Sequence, residues 1–385
     1  MGYGGGGGGG GGSGGSGGGS GGGSGASGGS GYRRIGDDRT ANLKVNNITN
    51  RDESSGTKVS GVVEAKGTHF IPPSGTTAER GSRGRGVFGG GSPGTQKTID
   101  YITIQTLGNA QDFGDLVNLT QQYAACSSST RGIFAGGEAP SVTNVIEYIT
   151  ISATGNSFDF GDLTQARRRT QSEGASNNIR GLFFGGYTGS APSETTIDYI
   201  TIASKGNASV FGDLTRETES GSACASPTRA IQFGGRSQPG SNEHIDIQYV
   251  TIQTLGNALD FGDLTALGSG DSARRHATAA LSSSTRGICA GGRQNPGDNN
   301  VIEYITIASL GDGIDFGDMQ NATRYPTGTS NGIRGVIAGG TINPAATNTI
   351  EYITIATVGN TSDFGDLTAA RSEASGLSDS HGGLG

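Results

Sequence analysis

The chain contains no tryptophan and only three cysteines, four histidines and two methionines in 385 residues. Three cysteines do not make a disulfide framework. Cys126 and Cys224 each stand five residues before the Arg of a recurring Thr-Arg phrase (Arg131 and Arg229), and Cys289 takes the place that Phe134 holds elsewhere. All three read as small buried apolar residues. The histidines, His69, His244, His276 and His381, share no spacing with a Ser and an Asp, and no Cys/His cluster is present. Nothing therefore points to nucleophilic catalysis or to a metal, and no catalytic residue or cofactor is expected. Without Trp there is also no sialidase-type Asp-box.

Long apolar runs are missing too. None approaches the roughly 18 residues of a membrane span, so no membrane insertion is expected. The N-terminus lacks the basic and apolar regions of a signal peptide. Basic charge is scarce: 27 Lys and Arg face 34 Asp and Glu, for a net charge of -7. Phosphate neutralisation needs clustered cations, so no nucleic acid partner is expected.

Glycine is what abounds, with 74 copies. Gly4 to Gly12 are unbroken and Gly/Ser continues to Gly31, so residues 1–31 read as a flexible tether or an assembly segment. Residues 32–80 carry short alternating apolar positions such as Leu43, Val45, Ile48 and Val59. They read as an extended N-terminal β arm for attachment or oligomerisation, too short to bury a core alone.

From residue 81 to 385 the chain repeats itself. The triplet Phe-Gly-Asp begins at Phe113, Phe160, Phe211, Phe261, Phe316 and Phe364, about fifty residues apart each time. An Arg followed by a short apolar run and Gly-Gly recurs at Arg85, Arg131, Arg180, Arg229, Arg286 and Arg334. Each repeat reads as four short strands. In the second these are Gln122–Ser128, a run ending at Gly137, Val145–Ser152 and Ser157–Leu163. In Ile146-Glu147-Tyr148-Ile149-Thr150-Ile151 both faces are largely apolar, as in a strand sandwiched between sheets. Six such units predict an all-β fold, a six-bladed β-propeller, with a β-solenoid as the rival. The tail after the sixth Phe-Gly-Asp resembles only a first strand, so residues near 372–380 are expected to complete the first blade and close the ring.

The phrases Arg-Gly-x-Phe-Ala-Gly-Gly, Ile-Glu-Tyr-Ile-Thr-Ile and Gly-Asn-x-x-Asp-Phe-Gly-Asp-Leu-Thr resemble kelch-like repeats. They are similar to those of virion structural and tail-fibre-like proteins of marine cyanophages and related phages. The pairs Gly136-Gly137 and Gly185-Gly186 match the kelch diglycine, and Phe160 or Phe211 stands where kelch repeats carry Trp. The segments from Leu43 and from Gly67 are similar to leaders that precede such repeats in those proteins. The resemblance covers residues 42–385 and implies a kelch-like propeller in a phage virion, as a tail fibre, surface fibre or decoration element. It implies a non-enzymatic role in host attachment. Partners would be other virion proteins through the N-terminal arm, further copies of the chain, and a host-surface glycan or protein. A glycan-active propeller enzyme and a bacterial surface adhesin are the alternatives.

Asp-Phe-Gly-Asp invites reading as a carboxylate ring for a hard cation. It recurs in every repeat, with Val210 replacing the first Asp once, and a catalytic site is a single asymmetric constellation. The six phenylalanines therefore read as anchors between blades. The six repeated arginines, Arg131, Arg180 and Arg334 among them, are expected to pair with an Asp or Glu of their own or the next blade. The loops after each Gly-Gly differ from one another, and each contains a proline (Pro93, Pro140, Pro192, Pro239, Pro296, Pro344). Stiff, variable loops on one face of a fixed scaffold suit recognition. Tyr187, Arg236, His244, Arg293, Arg168, Arg274 and Tyr325 are the candidate ligand-binding residues on that face.

Overall fold

The computed structural model describes residues 84–384, apart from 95, 119–120, 139, 171–173, 191, 241, 266–272 and 296. The Gly-rich segment 1–31, the arm 32–80 and Pro296 lie outside the described residues. Six antiparallel sheets form a β-propeller. Blade 2 is typical: Ala124–Ser127 is innermost, followed outward by Arg131–Ala135, Val145–Thr150 and Phe158–Asp162. In blade 3 the innermost segment is reduced to a bridge between Ser176 and Gly181. Blade 1 is composite. Its innermost strand is the C-terminal Ser375–Ser378, paired antiparallel with Arg85–Gly89, so the first and last residues of the ring share one sheet.

The core lies between blades. One cluster joins Val87, Ile99 and Phe113 of blade 1 to Ala125, Phe134 and Ile149 of blade 2, and a corresponding cluster joins blade 6 back to blade 1. This explains why the third strand is apolar on both faces: each face meets a different neighbour. The three cysteines form no disulfide and are buried within these layers.

The geometry of Asp-Phe-Gly-Asp shows why it recurs. Ile146 pairs with Gly161 and Glu147 with Asp159, so Phe160 is skipped as a β-bulge. The bulge turns the ring inward, where Phe160 is 2% exposed and meets Tyr148 edge-on at 6.1 Å. Gly161 follows at φ +151°, and a Cβ there would stand 2.5 Å from the Gly206 carbonyl of the next blade. That next blade's turn donates Gly206 N to Phe160 O, and Asn207 Oδ1 accepts from Asp162 N at 3.1 Å. The same clasp, with Asp312 in place of Asn once, joins every neighbouring pair of blades around the ring. The motif is a fastener written into the outer strand.

The repeated arginines do not meet the acids expected of them. Each guanidinium reaches across to a backbone carbonyl of the following blade: Arg85 to Ile151, Arg131 to Ile202, Arg180 to Ile252, Arg229 to Ile307, Arg286 to Ile355 and Arg334 to Ile104, at 2.6–3.0 Å. Each also lies over the tyrosine of its own third strand, as Arg131 lies 4.7 Å from the Tyr148 centroid. The carbonyls at the ends of the third strands have no strand partner at that edge, and a guanidinium offers enough donors to take one while stacking.

The buried acids of the third strands pair with a different set. Asp198 meets Arg167, Glu303 meets Arg275 and Asp100 meets Arg371, in blades 3, 5 and 1. At the corresponding sequence position the other repeats carry threonine, Thr120, Thr218 and Thr323. Among the described residues no cation pairs with the corresponding third-strand residue in these blades. Glu147 accepts from Ser157 Oγ at 2.7 Å, the neutral Gln248 accepts from Thr215, and burial pushes the Glu351 carboxyl up toward its neutral form. Arginine and threonine thus alternate around the ring, and the third-strand chemistry follows.

Candidate functional site

Strand direction puts the loops after Gly-Gly and the loops between blades on one face. Isolated bridges tie the two sets together, as between Arg168 and Tyr187, Glu219 and Arg236, and His276 and Arg293. At the centre of this face, where each blade begins its innermost segment, one residue per blade adopts a left-handed backbone without being glycine. These are Glu373, Gln122, Arg169, Ser220, Ala277 and Tyr325, with φ between 52° and 61°. Their main chains form a closed ring. Gln122 N donates to Glu373 O, Arg169 N to Gln122 O, Ser220 N to Arg169 O, Ala277 N to Ser220 O, Tyr325 N to Ala277 O and Glu373 N to Tyr325 O, at 2.6–3.3 Å.

The left-handed state costs an L-residue on the order of 1–3 kcal/mol and persists where surrounding structure over-determines it. Here the surrounding structure is the ring itself, which satisfies six backbone donors and six acceptors at the mouth of the central channel. One backbone state is thus imposed on six positions, while the side chains differ at all six. Tyr325, Glu373, Gln122 and Arg169 stand consecutively around the mouth, followed by the small, buried Ser220 and Ala277 of blades 4 and 5.

Beneath the ring is a cavity of about 40 Å³, room for two or three waters. Tyr123, Pro326, Ala374 and Thr278 give it an apolar floor. Thr170 and Ser220 line it at 3% and 6% exposure, and neither hydroxyl has a hydrogen-bond partner.

Beside Ser220 and Ala277 runs a chain of charged groups. The buried Glu219 Oε1 accepts from Arg169 Nη1 at 3.2 Å and from Arg236 Nε at 2.9 Å. Arg236 reaches the His276 Nε2 at 3.5 Å, and His276 Nδ1 lies 3.2 Å from Glu243 Oε1. Burial and the charges of Arg236, Arg293 and Arg169 push His276 down to about 3, so it is a neutral imidazole that holds the rim. Glu243 leaves that protonation state unchanged because three cations and burial outweigh one carboxylate. The Arg293 guanidinium meets no carboxylate among the described residues.

Of the residues named from sequence, Tyr187, Arg236, Arg293, Arg168, Arg274 and Tyr325 do lie on this face. Arg168 stacks over Tyr187 at 5.5 Å and pairs with Glu138, while Arg274 is exposed and donates to the Glu243 carbonyl at 3.0 Å. Only Tyr325 lines the cavity. His244 is a correction: it is 4% exposed, held near Ser237 Oγ at 3.4 Å, and pushed down to about 4 by burial and Arg216. It packs beneath the loops instead of projecting from them. Gln122, Arg169, Ser220, Glu373, Glu219 and His276 were not singled out. A countable signal marks the ring: the left-handed residue lies seven positions after the second Asp of Asp-Phe-Gly-Asp or its variant in five repeats, and seven further on at Ala277.

The opposite end of the channel is stopped by the chain's own C-terminus. A 3-10 turn, Gly382–Leu384, is buried there with His381. His381 Nδ1 accepts from Gly383 N at 3.1 Å, and Nε2 lies 3.1 Å from Ser176 Oγ. Above it a hydroxyl relay circles the channel. Ser176 donates to Ser127 O, Ser127 to Ser378 O, Ser378 to Ser330 O, Ser330 to Ser282 O and Ser282 to Ala225 O, at 2.6–2.8 Å. The relay ends at Ala225, which has no hydroxyl to pass on.

No protein-family model matches the chain, and no curated protein matches it. Among the described residues no group of three or more His, Cys, Asp and Glu side chains is placed to hold a metal, and no helix is long and apolar enough to cross a membrane.

Proposed function

We propose that the propeller is a non-enzymatic recognition module and that its ligand-facing surface is the axial mouth with the charged rim beside it. One observation carries this: the six mouth positions share a single backbone state and hold six different side chains. Scaffold positions do the reverse, repeating Phe, Gly and Arg in blade after blade. Side-chain variation on an invariant frame is how recognition surfaces are built. The neighbouring Arg168, Tyr187, Arg236 and Arg293 extend the surface with groups able to stack and donate.

The carrier is, in this reading, a phage particle, with the chain serving as a tail fibre or surface fibre component made in the host cytoplasm. That part rests on the likeness of the repeats to virion structural proteins. Attachment to other virion proteins is assigned to the N-terminal arm.

Two measurements test the two parts. Antibody against the propeller is expected to label tail or surface fibres in electron micrographs, and label confined to unassembled protein would remove the virion assignment. The doubly substituted Tyr325→Ala, Glu373→Ala protein is expected to lose binding to whole cells that the parent binds. Leu107→Ser with Leu255→Ser, on the exposed outer turns of the other face, should leave it intact. Equal binding by all three proteins would refute the mouth as the surface.

A further inference from the structure

We propose that the axial mouth binds the acetamido group of an N-acetylated hexosamine, with the methyl on the apolar floor and the amide between Thr170 and Ser220. The inference rests on the recognition reading above and names the chemistry of its ligand.

Size decides the first step. A cavity of about 40 Å³ takes a substituent of a few atoms, not a pyranose ring. The floor decides the second. Tyr123, Pro326, Ala374 and Thr278 offer carbon surface, and a charged substituent there would be desolvated without compensation. An aliphatic group alone fails the third requirement, because the Thr170 and Ser220 hydroxyls line the cavity, are more than nine-tenths buried and have no partner. Native structures seldom leave such groups unpaired. Each hydroxyl both donates and accepts. Their complement is a group with one acceptor, one donor and a methyl, which is an acetamide.

The rim fits the sugar that would carry it. Tyr325 presents a half-buried ring beside the cavity, suited to the C–H face of a pyranose. Glu373 faces no cation among the described residues and can accept from ring hydroxyls. Arg169 is already committed to Gln122 Oε1 at 3.1 Å and to Glu219, which disfavours a carboxylate ligand at this point.

Saturation-transfer NMR and calorimetry on the full chain would use N-acetylglucosamine and N-acetylgalactosamine against glucose, galactose and glucosamine. The N-acetyl sugars are expected to bind in the millimolar range or tighter, with the strongest transfer at the acetyl methyl. Thr170→Val and Ser220→Ala should each weaken binding roughly tenfold, the loss of one hydrogen bond. Both variants should melt like the parent, since the hydroxyls removed have no partner, and Ser220→Ala only reproduces what blade 5 has at Ala277. Equal binding of N-acetylated and plain sugars, or no effect of either variant, overturns the proposal. If no N-acetyl sugar binds while cell binding still depends on Tyr325 and Glu373, the acetamide assignment falls and the recognition reading stands. If cell binding ignores Tyr325 and Glu373, the recognition reading falls with it.

Discussion

Arg167 places its Nη2 2.7 Å from Asp198 Oδ2, with neither side chain exposed to solvent. The same guanidinium donates through Nη1 to the carbonyls of Gly185 and Thr196, so one residue binds a loop, a strand and a buried carboxylate. Burial lowers the Arg167 pKa and Asp198 offsets that cost. Arg167→Thr alone strands the acid and is expected to cost about 3–5 kcal/mol in urea unfolding. Adding Asp198→Gln copies the Thr218/Gln248 arrangement of blade 4 and should restore most of the loss. A double variant no better than the single one would show that the alternation around the ring carries no compensation.

Gly155 and Gly161 separate two costs that usually arrive together. Their φ values are +150° and +151°, but a Cβ at Gly155 meets nothing within 4 Å whereas one at Gly161 runs into the next blade. Gly155→Ala should therefore show backbone strain alone, on the order of 1–3 kcal/mol. Gly161→Ala should cost more by a further 1–3 kcal/mol or so, because the clasp must open. Equal melting of the two proteins would mean the blades yield at that contact.

Phe160 fills the layer between blades 2 and 3 and is 2% exposed. Phe160→Ala is expected to destabilise by about 3–5 kcal/mol, read by chemical denaturation. A protein that unfolds like the parent but no longer binds its ligand would move Phe160 from scaffold to site.

His381 carries a pH signature. Burial holds it down to about 4 against an ordinary value of 6.5, so the folded chain keeps it neutral while the unfolded chain protonates it. Its penalty is absent above pH 6.5 and grows as pH falls toward 4. His244 and His276, held at about 4 and about 3, act in the same direction. Asp379, raised to about 6 by burial, acts oppositely: its contribution is present below about 4 and is lost as pH rises through 6. His381→Gln should therefore lose less stability than the parent between pH 6.5 and 4.5, followed by thermal unfolding. Parallel curves for the two proteins would contradict a neutral buried imidazole.

The parts of the fold visible in sequence were those whose cause is local. Short strands apolar on both faces, Gly-Gly pairs and the recurring buried Phe are fixed by their own residues, and the closing strand at Ser375–Ser378 followed from counting first strands. The parts not legible in the sequence depend on which blade comes next. Arg131 faces a carbonyl of Ile202 instead of a carboxylate, and no feature near Arg131 announces that. His244 lies in a variable loop, yet it is buried. The mouth is not legible in the sequence for a sharper reason. Left-handed backbone is expected at Gly or Asn, and here the hydrogen-bonded ring forces it onto Gln122, Arg169 and Tyr325.

The composite first blade also sets how the propeller bears load. Arg85–Gly89 is held on one side by Ser375–Ser378 and on the other by Thr98–Thr103, antiparallel to both. Tension entering at Gly84 along that strand acts in shear, so the hydrogen bonds of both ladders resist together instead of parting one at a time. The Asp379 carboxylate, accepting from Gly84 N at 2.6 Å and Arg85 N at 3.1 Å, pins the point where the pull arrives. A pull delivered through Gly84 would thus be shared between the first and the last strand of the ring.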